Sequence, residues 1–249
     1  MSKLNIYYSK EFRKEYGKYA IMDPDTVKLG DIINFKTFEV VGSLKNLGIE
    51  FTEKVKNDIP DAEPIYKSKG IKMGNLSAGQ ADIAKFGLSF SSDNSIFLST
   101  KGSKTVCIAE DNLDKNNIGK QIISQYKKGK WEMDWIVVTE VEYAKKAIII
   151  LSNGKNAEIE LNAQSPSPIG IGEMINAELS FGSESSIGFR YIMPEGEYRS
   201  VLFKAKFLDK SLFGNPKFTT RDFTPPEGLS TEFVAPTEPK YLKEFEWEE

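Results

Sequence analysis

Short stretches in which apolar and polar residues alternate recur along this sequence, and turn-forming residues separate them. The clearest runs from Ala84 to Ser91, where Phe86, Leu88 and Phe90 alternate with small, charged or hydroxyl-bearing residues. A period of two is typical of a strand with one face in a core and the other towards water. Because strands do not alternate regularly with long helices, the sequence predicts an α+β fold with a mainly antiparallel, twisted β-sheet and a few short helices.

A first hairpin is predicted directly after this strand. Ser92-Asp93-Asn94-Ser95 has the composition of a turn, and Ile96 and Leu98 then resume the alternation towards Ile108. We therefore expect the segments on either side of the turn to pair as an antiparallel hairpin.

A second hairpin is predicted at Asn153-Gly154-Lys155, which separates the apolar runs Lys146–Ser152 and Ala157–Leu161. Asn-Gly between two apolar runs is a strong hairpin signal, because both residues readily adopt the positive φ that a tight hairpin turn needs. A further strand, Trp135–Tyr143, is predicted before this pair.

Helix signals are few. Ser9 is a suitable N-cap for a helix that carries Phe12 and Tyr16 on one face and ends at Gly17. A longer helix is predicted over Asn112–Lys128. The other predicted elements are two short strands and a turn over Val40–Phe51, a short helix over Ile171–Leu179, and strands over Val27–Ile33, Ile187–Met193 and Ser200–Phe207.

The composition excludes several kinds of catalysis. The sequence has no histidine and one cysteine, Cys107, so Ser-His-Asp and Cys-His nucleophile systems and histidine or multi-thiolate metal sites cannot be built. It also lacks GxxxxGK[ST] and GxGxxG phosphate-binding loops. We expect no catalytic residue, no metal and no cofactor. Cys107, between Val106 and Ile108, is expected to be a small core residue.

Carboxylate chemistry remains open. Glu140 and Glu142 project from one face of a predicted strand, and Glu158 and Glu160 do the same further on. Paired carboxylates can serve as the acid and base of a glycoside hydrolase. The simpler interpretation is a solvated sheet face on which the acids lie near the lysine pair at 145–146.

The C-terminal segment differs in composition from the rest of the chain. Residues 224–249 hold seven glutamates and two lysines, a formal charge of −5, which leaves +2 of the total −3 for residues 1–223. Prolines interrupt this segment, and it also carries aromatic residues. We predict a single α+β domain over 1–223 and an acidic tail over 224–249, either disordered or docked on the domain.

Charge and hydropathy also restrict location and partners. A net charge of −3 argues against nucleic acid as a partner, since neutralising phosphates needs clustered Lys and Arg. No apolar run approaches the roughly 18 residues of a membrane-spanning helix. With a single cysteine and no signal-peptide pattern at the N-terminus, we expect a cytoplasmic protein.

Short segments of the chain resemble the gasdermin pore-forming domain. Val137-Val138-Thr139-Glu140-Val141, behind the longer predicted helix, is similar to a family strand that reads close to V-V-T-E-V. Ile192-Met193-Pro194-Glu195-Gly196, before the apolar run Val201–Phe207, is similar to a family I-P-x-G segment that precedes a final strand. Val27-Lys28-Leu29-Gly30-Asp31-Ile32-Ile33 resembles a family L-x-L-G-D-V-L stretch.

This resemblance implies a non-enzymatic pore-forming protein, of the kind that serves bacterial defence, whose hairpins lengthen into membrane strands and assemble as a homo-oligomer. It also implies a C-terminal segment that keeps the domain soluble and cytoplasmic until it is released, for example by a protease, for insertion into an anionic membrane. The candidate membrane hairpin residues are Phe86, Leu88, Phe90, Ile96 and Leu98, and the candidate autoinhibitory tail residues are Phe233, Tyr241, Phe245 and Trp247.

A second interpretation is a non-enzymatic, β-rich binding or scaffold protein whose partner the sequence does not identify. An antiparallel sheet and an aromatic tail suit this role as well.

The chain also departs from the gasdermin pattern at one point. Bacterial gasdermins often carry an acylated cysteine near the N-terminus, whereas the cysteine of this chain lies at position 107. A glycoside hydrolase that uses Glu140 and Glu142 is the third interpretation.

Overall fold

The computed structural model describes residues 4, 6–7, 9–76, 83–109, 118–164, 173–210 and 216–219. These residues form short antiparallel strands and two short α-helices, so the predicted fold class is confirmed. The helices are α1 (Lys10–Tyr16) and α2 (Ile118–Lys127), and 3₁₀ turns lie at Lys45–Leu47 and Glu173–Asn176. The strands are β1 (Ile6–Tyr7), β2 (Tyr19–Ile21), β3 (Asp31–Asn34), β4 (Glu39–Ser43), β5 (Glu53–Ile59), β6 (Ile65–Lys67), β7 (Ile71–Leu76), β8 (Ile83–Phe90), β9 (Ile96–Lys101), β10 (Ser103–Ile108), β11 (Trp135–Ala144), β12 (Lys146–Ser152), β13 (Ala157–Gln164), β14 (Glu178–Ser185), β15 (Ile187–Met193), β16 (Arg199–Lys210) and β17 (Pro216–Thr219).

Strand pairing divides these strands into three sheets. Sheet A has nine strands: β1-β2-β16-β11-β10-β5 form its main path, and β3, β4 and β17 pair at its side. Sheet B has the order β15-β12-β9-β6, and sheet C has the order β14-β13-β8-β7. Each strand of sheet B is therefore consecutive in the chain with the strand at the same position of sheet C.

Sheet B is apolar on both faces and lies in the middle of this part of the molecule. Phe97 and Ile148 face sheet C across a shared core. Ile149 and Leu151 point to the opposite side, where Phe12 of α1 covers them. All five side chains are at most 1% exposed, so sheets B and C form a β-sandwich with α1 packed on the outside of sheet B.

Helix α1 forms where the sequence predicts it. The Ser9 hydroxyl accepts a hydrogen bond from the Phe12 amide at 3.0 Å, and Gly17 ends the helix with a φ of 66°. Phe12 and Tyr16 lie on the face that packs against sheet B, with ring centroids 4.8 Å apart. Helix α2 agrees with the C-terminal part of the longer predicted helix, whose residues 112–117 lie outside the described residues.

The first predicted hairpin is wrong in its pairing. Strands β8 and β9 flank residues 91–95, but β8 pairs with β7 and β13 whereas β9 pairs with β6 and β12. Asn94 adopts a φ of 50° in this connection and turns the chain from sheet C into sheet B. The alternation of Phe86, Leu88 and Phe90 is real, but the neighbouring strands come from distant parts of the chain.

The second predicted hairpin is wrong for a related reason. Strands β12 and β13 belong to sheets B and C and do not pair with each other. A two-residue Asn-Gly turn of type I′ needs positive φ at both residues, whereas here the positive φ of 60° occurs at Asn156. The connection is therefore a bend between two sheets.

Smaller elements also differ from the prediction. In Val40–Phe51 the chain forms the end of β4 and a 3₁₀ turn instead of two strands. Over Ile171–Leu179 the described part is a 3₁₀ turn followed by the start of β14, a strand that the sequence analysis misses. Strand β3 begins at Asp31, so the predicted strand from Val27 is shorter than expected. Cys107 is buried at 5% exposure, as predicted.

Candidate functional site

Sheets B and C together are one four-stranded sheet folded over a transverse line. Four stretches of the polypeptide run from one sheet to the other: β6–β7, β8–β9, β12–β13 and β14–β15. We call β8–β9 and β12–β13 the central chains and the other two the outer chains. Each passes between the two sheets through a short connection, at residues 68–70, 91–95, 153–156 and Ser186. We call these four connections the fold line. Because the strand order is the same on both sides of it, neighbours in sheet B remain neighbours in sheet C.

The two central chains keep their register across the fold line. Phe90 pairs with Ala157 in sheet C. Ile96 pairs with Leu151 in sheet B. Five residues lie between these two pairs on each chain. The two chains therefore pass through the bend with equal lengths.

A straight version of this pair would be a single continuous ladder. Residues 83–101 and 146–164 would face each other over their whole length without one chain sliding along the other. The same register continues into sheet A, where Lys104 pairs with Tyr143 after two intervening residues on each chain.

The outer chains do not share this property. Lys67 pairs with Phe97 in sheet B, and Ile71 pairs with Phe90 in sheet C. Three residues of the outer chain thus span the fold line beside six residues of the central chain. At the opposite edge, one residue between β14 and β15 lies beside five on the central chain. Straightening would require both outer chains to slide.

The two central strands of sheet C, β8 and β13, carry apolar residues on one face and mostly small or polar residues on the other. The inward face packs on sheet B through Phe86, Leu88, Phe90, Ile159 and Leu161, each at most 2% exposed. The outward face is half-buried or exposed and carries mostly small and charged side chains, with Leu76 as an exposed apolar residue on the edge strand β7. These outward residues include Lys72, Gly74, Lys85, Gly87, Ser89, Glu158 and Glu160.

The five candidate hairpin residues are divided between two cores. Phe86, Leu88 and Phe90 face sheet B. Ile96 and Leu98 lie on the far side of sheet B, in the core that α1 covers. In a straight strand, residues two apart share a face, so all five would lie on the same side of the ladder. Their counterparts on the other central chain are Ile149, Leu151, Ala157, Ile159 and Leu161.

The candidate hairpin residues named from the sequence all lie on one central chain, β8–β9, and none lies on the other, β12–β13. Ala157, Ile159, Leu161 and Ala163 alternate with polar residues as clearly as the first chain does. The mistaken hairpin at Asn153-Gly154-Lys155 paired this chain with its own neighbour, so its relation to Phe86 was not found.

The carboxylates of sheet A do not lie on a solvated face. Glu140 is 7% exposed and Glu142 is 3% exposed. Lys56 donates to one oxygen of Glu140 at 2.6 Å, and Lys204 lies 3.0 Å from the other. The lysine pair at 145–146, which the sequence analysis placed beside these acids, makes its contacts elsewhere.

Glu142 connects three parts of the molecule. The Tyr66 hydroxyl of β6 donates to it at 2.6 Å, and Lys18, between α1 and β2, forms an ion pair with it. Burial and the neighbouring Glu142 carboxylate raise the pKa of Tyr66, so its hydroxyl stays protonated as a donor. These contacts join sheet B and the N-terminal segment to sheet A.

This environment does not suit the hydrolase interpretation. Burial raises the pKa of Glu140, but hydrogen bonds from Lys56 and Lys204 outweigh it and hold the pKa below its usual value. A general acid needs a raised pKa and a proton to give. The second carboxylate pair, Glu158 and Glu160, agrees better with the predicted solvated sheet face. Glu158 is exposed, and Glu160 lies 2.8 Å from Lys85.

Three further sequence predictions concern metals, membrane helices and the tail. Across the described ranges, no cluster of three or more Cys, Asp or Glu side chains could hold a metal ion. In the same part of the chain, no helix is both long and apolar enough to cross a bilayer. The tail and its candidate residues, Phe233, Tyr241, Phe245 and Trp247, lie outside the described residues.

Comparison with known proteins finds similar solved structures but no match by sequence. No family model and no curated protein matches this chain. One similar solved structure is the gasdermin A3 membrane pore, with 11% identity over 93% of this chain and 92% of that chain, and a TM-score of 0.30. Another is a bacterial gasdermin from Bradyrhizobium tropiciagri, with 14% identity over 84% of this chain and 90% of that chain, and a TM-score of 0.32. Both are gasdermins, the family that the sequence motifs resemble.

Proposed function

We propose that this chain is a gasdermin-like pore-forming protein, in which the fold line opens and sheet C inserts into a membrane. The observation that supports this most directly is the unbroken register of the two central chains. A folded sheet whose two central chains have equal lengths through the bend can straighten while its inner ladder stays paired.

The distribution of residues over sheet C also supports insertion. Membrane-spanning strands alternate between a lipid-facing apolar side and a polar side, and need about 9–11 residues each. Strands β8 and β13 have eight residues each, slightly fewer than this, and each has one apolar face and one polar face. The apolar face is buried against sheet B in the folded form, and lipid would replace sheet B as its environment.

The fold line itself is too polar to lie in the bilayer core. On the face that continues Phe90 towards Ile96, its central positions are Ser92 and Asn94. Lys155 lies on the partner chain, on the same face of a straight ladder. Polar and charged side chains are costly at the centre of a bilayer. In the proposal, the fold line therefore lies at the membrane surface and sheet C spans the bilayer.

The acidic tail is proposed as the restraint. Without residues 224–249 the formal charge changes from −3 to +2, which favours approach to an anionic membrane. A protease that cuts near residue 223 would then release the domain, and several copies would assemble into the pore.

The first test is leakage of dye from anionic vesicles. The full chain carries an inserted, specific protease site after Phe223, and the protease is added in the presence of vesicles. We expect leakage after cleavage and none from the uncut chain, with weaker leakage from neutral vesicles. Intact vesicles after complete cleavage would contradict pore formation, and a tail that captures a protein without any membrane effect would favour the binding interpretation.

The second test asks which face of sheet C meets lipid. In a Cys107→Ser background, Ala84→Cys labels the apolar face and Lys85→Cys labels the polar face with an environment-sensitive dye. After cleavage on vesicles we expect the label at position 84 to enter an apolar environment that lipid-borne quenchers reach. The label at position 85 is the matched control and stays in water. Equal quenching at both positions would contradict insertion of a two-faced sheet.

A further inference from the structure

We propose that the fold line is a hinge with left-handed residues on all four chains, held closed by hydroxyl hydrogen bonds that Tyr7 completes. This inference rests on the proposed function and adds a control point to it. The residues with positive φ are Gly70 (79°), Asn94 (50°), Asn156 (60°) and Ser186 (53°), one in each connection.

Left-handed backbone makes the bend possible and also gives it a cost. Positive φ is unfavourable for L-residues other than glycine, with asparagine the most tolerant of them. In a straight ladder these positions would return to extended backbone. The conformations of Asn94, Asn156 and Ser186 thus favour opening, and other interactions must hold the fold line closed.

Buried hydroxyls provide those interactions. The Ser152 side chain accepts from the Ser95 amide at 2.9 Å and donates to the Ser92 carbonyl at 3.1 Å. Ser68 accepts from the Ile96 amide at 3.1 Å. Ser95 and Ser152 are 3% and 1% exposed, so these bonds are made away from water. The bond from Ser152 to the Ser92 carbonyl spans the bend, because in a straight ladder Ser152 would face Ser95, three residues away from Ser92.

Tyr7 connects this network to the N-terminal strand. Its hydroxyl donates to the Asn94 carbonyl at 2.7 Å and lies 3.5 Å from the Ser68 hydroxyl. Its ring is 1% exposed and packs edge-on against Phe12, with centroids 5.7 Å apart. Tyr7 belongs to sheet A, whereas Asn94 is the left-handed residue of a central chain. The hydroxyl of Tyr7 therefore fixes the hinge to the part of the molecule that stays in place.

Gly70 shows how tightly the bend is closed. A Cβ atom at this position would lie 1.9 Å from the Ser91 hydroxyl oxygen, which itself donates to the Gly70 carbonyl at 3.1 Å. The positive φ and the close approach both require glycine here.

The experiment changes the hinge in both directions in the full, cleavable chain. Asn94→Gly removes the cost of left-handed backbone and should slow vesicle leakage after cleavage by about fivefold. Asn94→Val, whose branched side chain opposes positive φ, should speed it by a similar factor. Asp25→Gly is the matched control, because Asp25 also has a positive φ, of 73°, but lies outside the fold line.

Tyr7→Phe tests the hydroxyl separately, since the ring and its packing remain. We expect leakage about fivefold faster, whereas Tyr198→Phe, which removes a hydroxyl bonded to Asp58 away from the fold line, leaves the rate unchanged. If cleavage causes leakage but the fold-line variants match their controls, the hinge is wrong and the proposed function stands.

A second measurement keeps the inference testable if the protein never permeabilises vesicles. Hydrogen exchange of the uncut chain should be about fivefold faster over residues 91–96 and 152–156 in Tyr7→Phe than in Tyr198→Phe. Unchanged exchange there would overturn the hinge whatever the leakage result. Faster exchange without leakage in any variant would support the hinge and contradict pore formation.

Discussion

Sheets B and C are built from the same four chains but differ in how they are covered. Every residue of β12 in sheet B is buried, whereas β13 in sheet C alternates between buried and accessible residues. Sheet B lies between α1 and sheet C, with apolar contacts on both faces. The inward face of sheet C packs on sheet B, and its outward face is polar and accessible. Under the proposed function, sheet C is therefore the half that needs only one new environment, for its inward face, when it separates from sheet B.

The largest difference in the loss of unfolding free energy is expected between a substitution on the outward face of sheet B and one on the outward face of sheet C. Ile149→Ala removes a fully buried side chain under α1 and should lower the free energy of unfolding by about 2–5 kcal/mol. Leu76→Ala, on the outward face of sheet C at 44% exposure, should change it by less than about 1 kcal/mol. Urea denaturation measures both. Equal losses would mean that the two sheets are covered alike.

An intermediate difference in the loss of unfolding free energy is expected between the ion pair at the junction with sheet A and the ion pair on sheet C. Glu142→Gln leaves the Lys18 ammonium without its buried partner and should cost about 2 kcal/mol. Glu160→Gln disrupts the more accessible pair with Lys85 on sheet C and should cost less than about 1 kcal/mol. The same denaturation series compares them. A larger loss from Glu160→Gln would place the stronger connection on sheet C instead of at the junction with sheet A.

The smallest effect concerns pH. Because the folded-state pKa of Glu140 is depressed, the stability it contributes is fully present above the ordinary glutamate pKa of 4.5 and is lost as the pH falls through the folded-state value. Unfolding free energies measured from pH 7 to pH 3 should decline on the acid side. Glu140→Gln should flatten this decline, and an unchanged slope would contradict the role of Lys56 and Lys204.

The sequence predicted strands well and their partners poorly. The alternation around Phe86 and the apolar run of β12 depend on local burial, which a short window of sequence reports. Pairing depends on which distant segments meet. A turn sequence such as that around Asn94 fits a hairpin and a bend between two sheets equally well. The same is true of the turn Asn153-Gly154-Lys155. Positive φ at Asn153 and Gly154 would give a hairpin, whereas the chain has positive φ at Asn156 and bends between two sheets. Local composition does not determine which residue adopts it.

The polar part of the site was misjudged for a similar reason. Glu140 and Glu142 alternate on β11 as exposed acids would, but Lys18, Lys56 and Lys204 come from elsewhere in the chain to neutralise them. The helix α1 was predicted correctly because its N-cap, its apolar face and its terminal glycine all lie within nine residues, from Ser9 to Gly17. Features decided by neighbours in sequence were predictable, and those decided by long-range contacts were not.

The unequal lengths of the chains at the fold line have a kinetic consequence. If the sheet opens as proposed, the central ladder between β8 and β13 can persist, so its backbone amides should remain protected from exchange throughout. The edge strands β7 and β14 must exchange their hydrogen-bonding partners, because their connections are shorter than those of the chains beside them. In the proposed opening, this re-pairing at the two edges adds a barrier of its own, beside the one that Tyr7 and Asn94 set at the fold line.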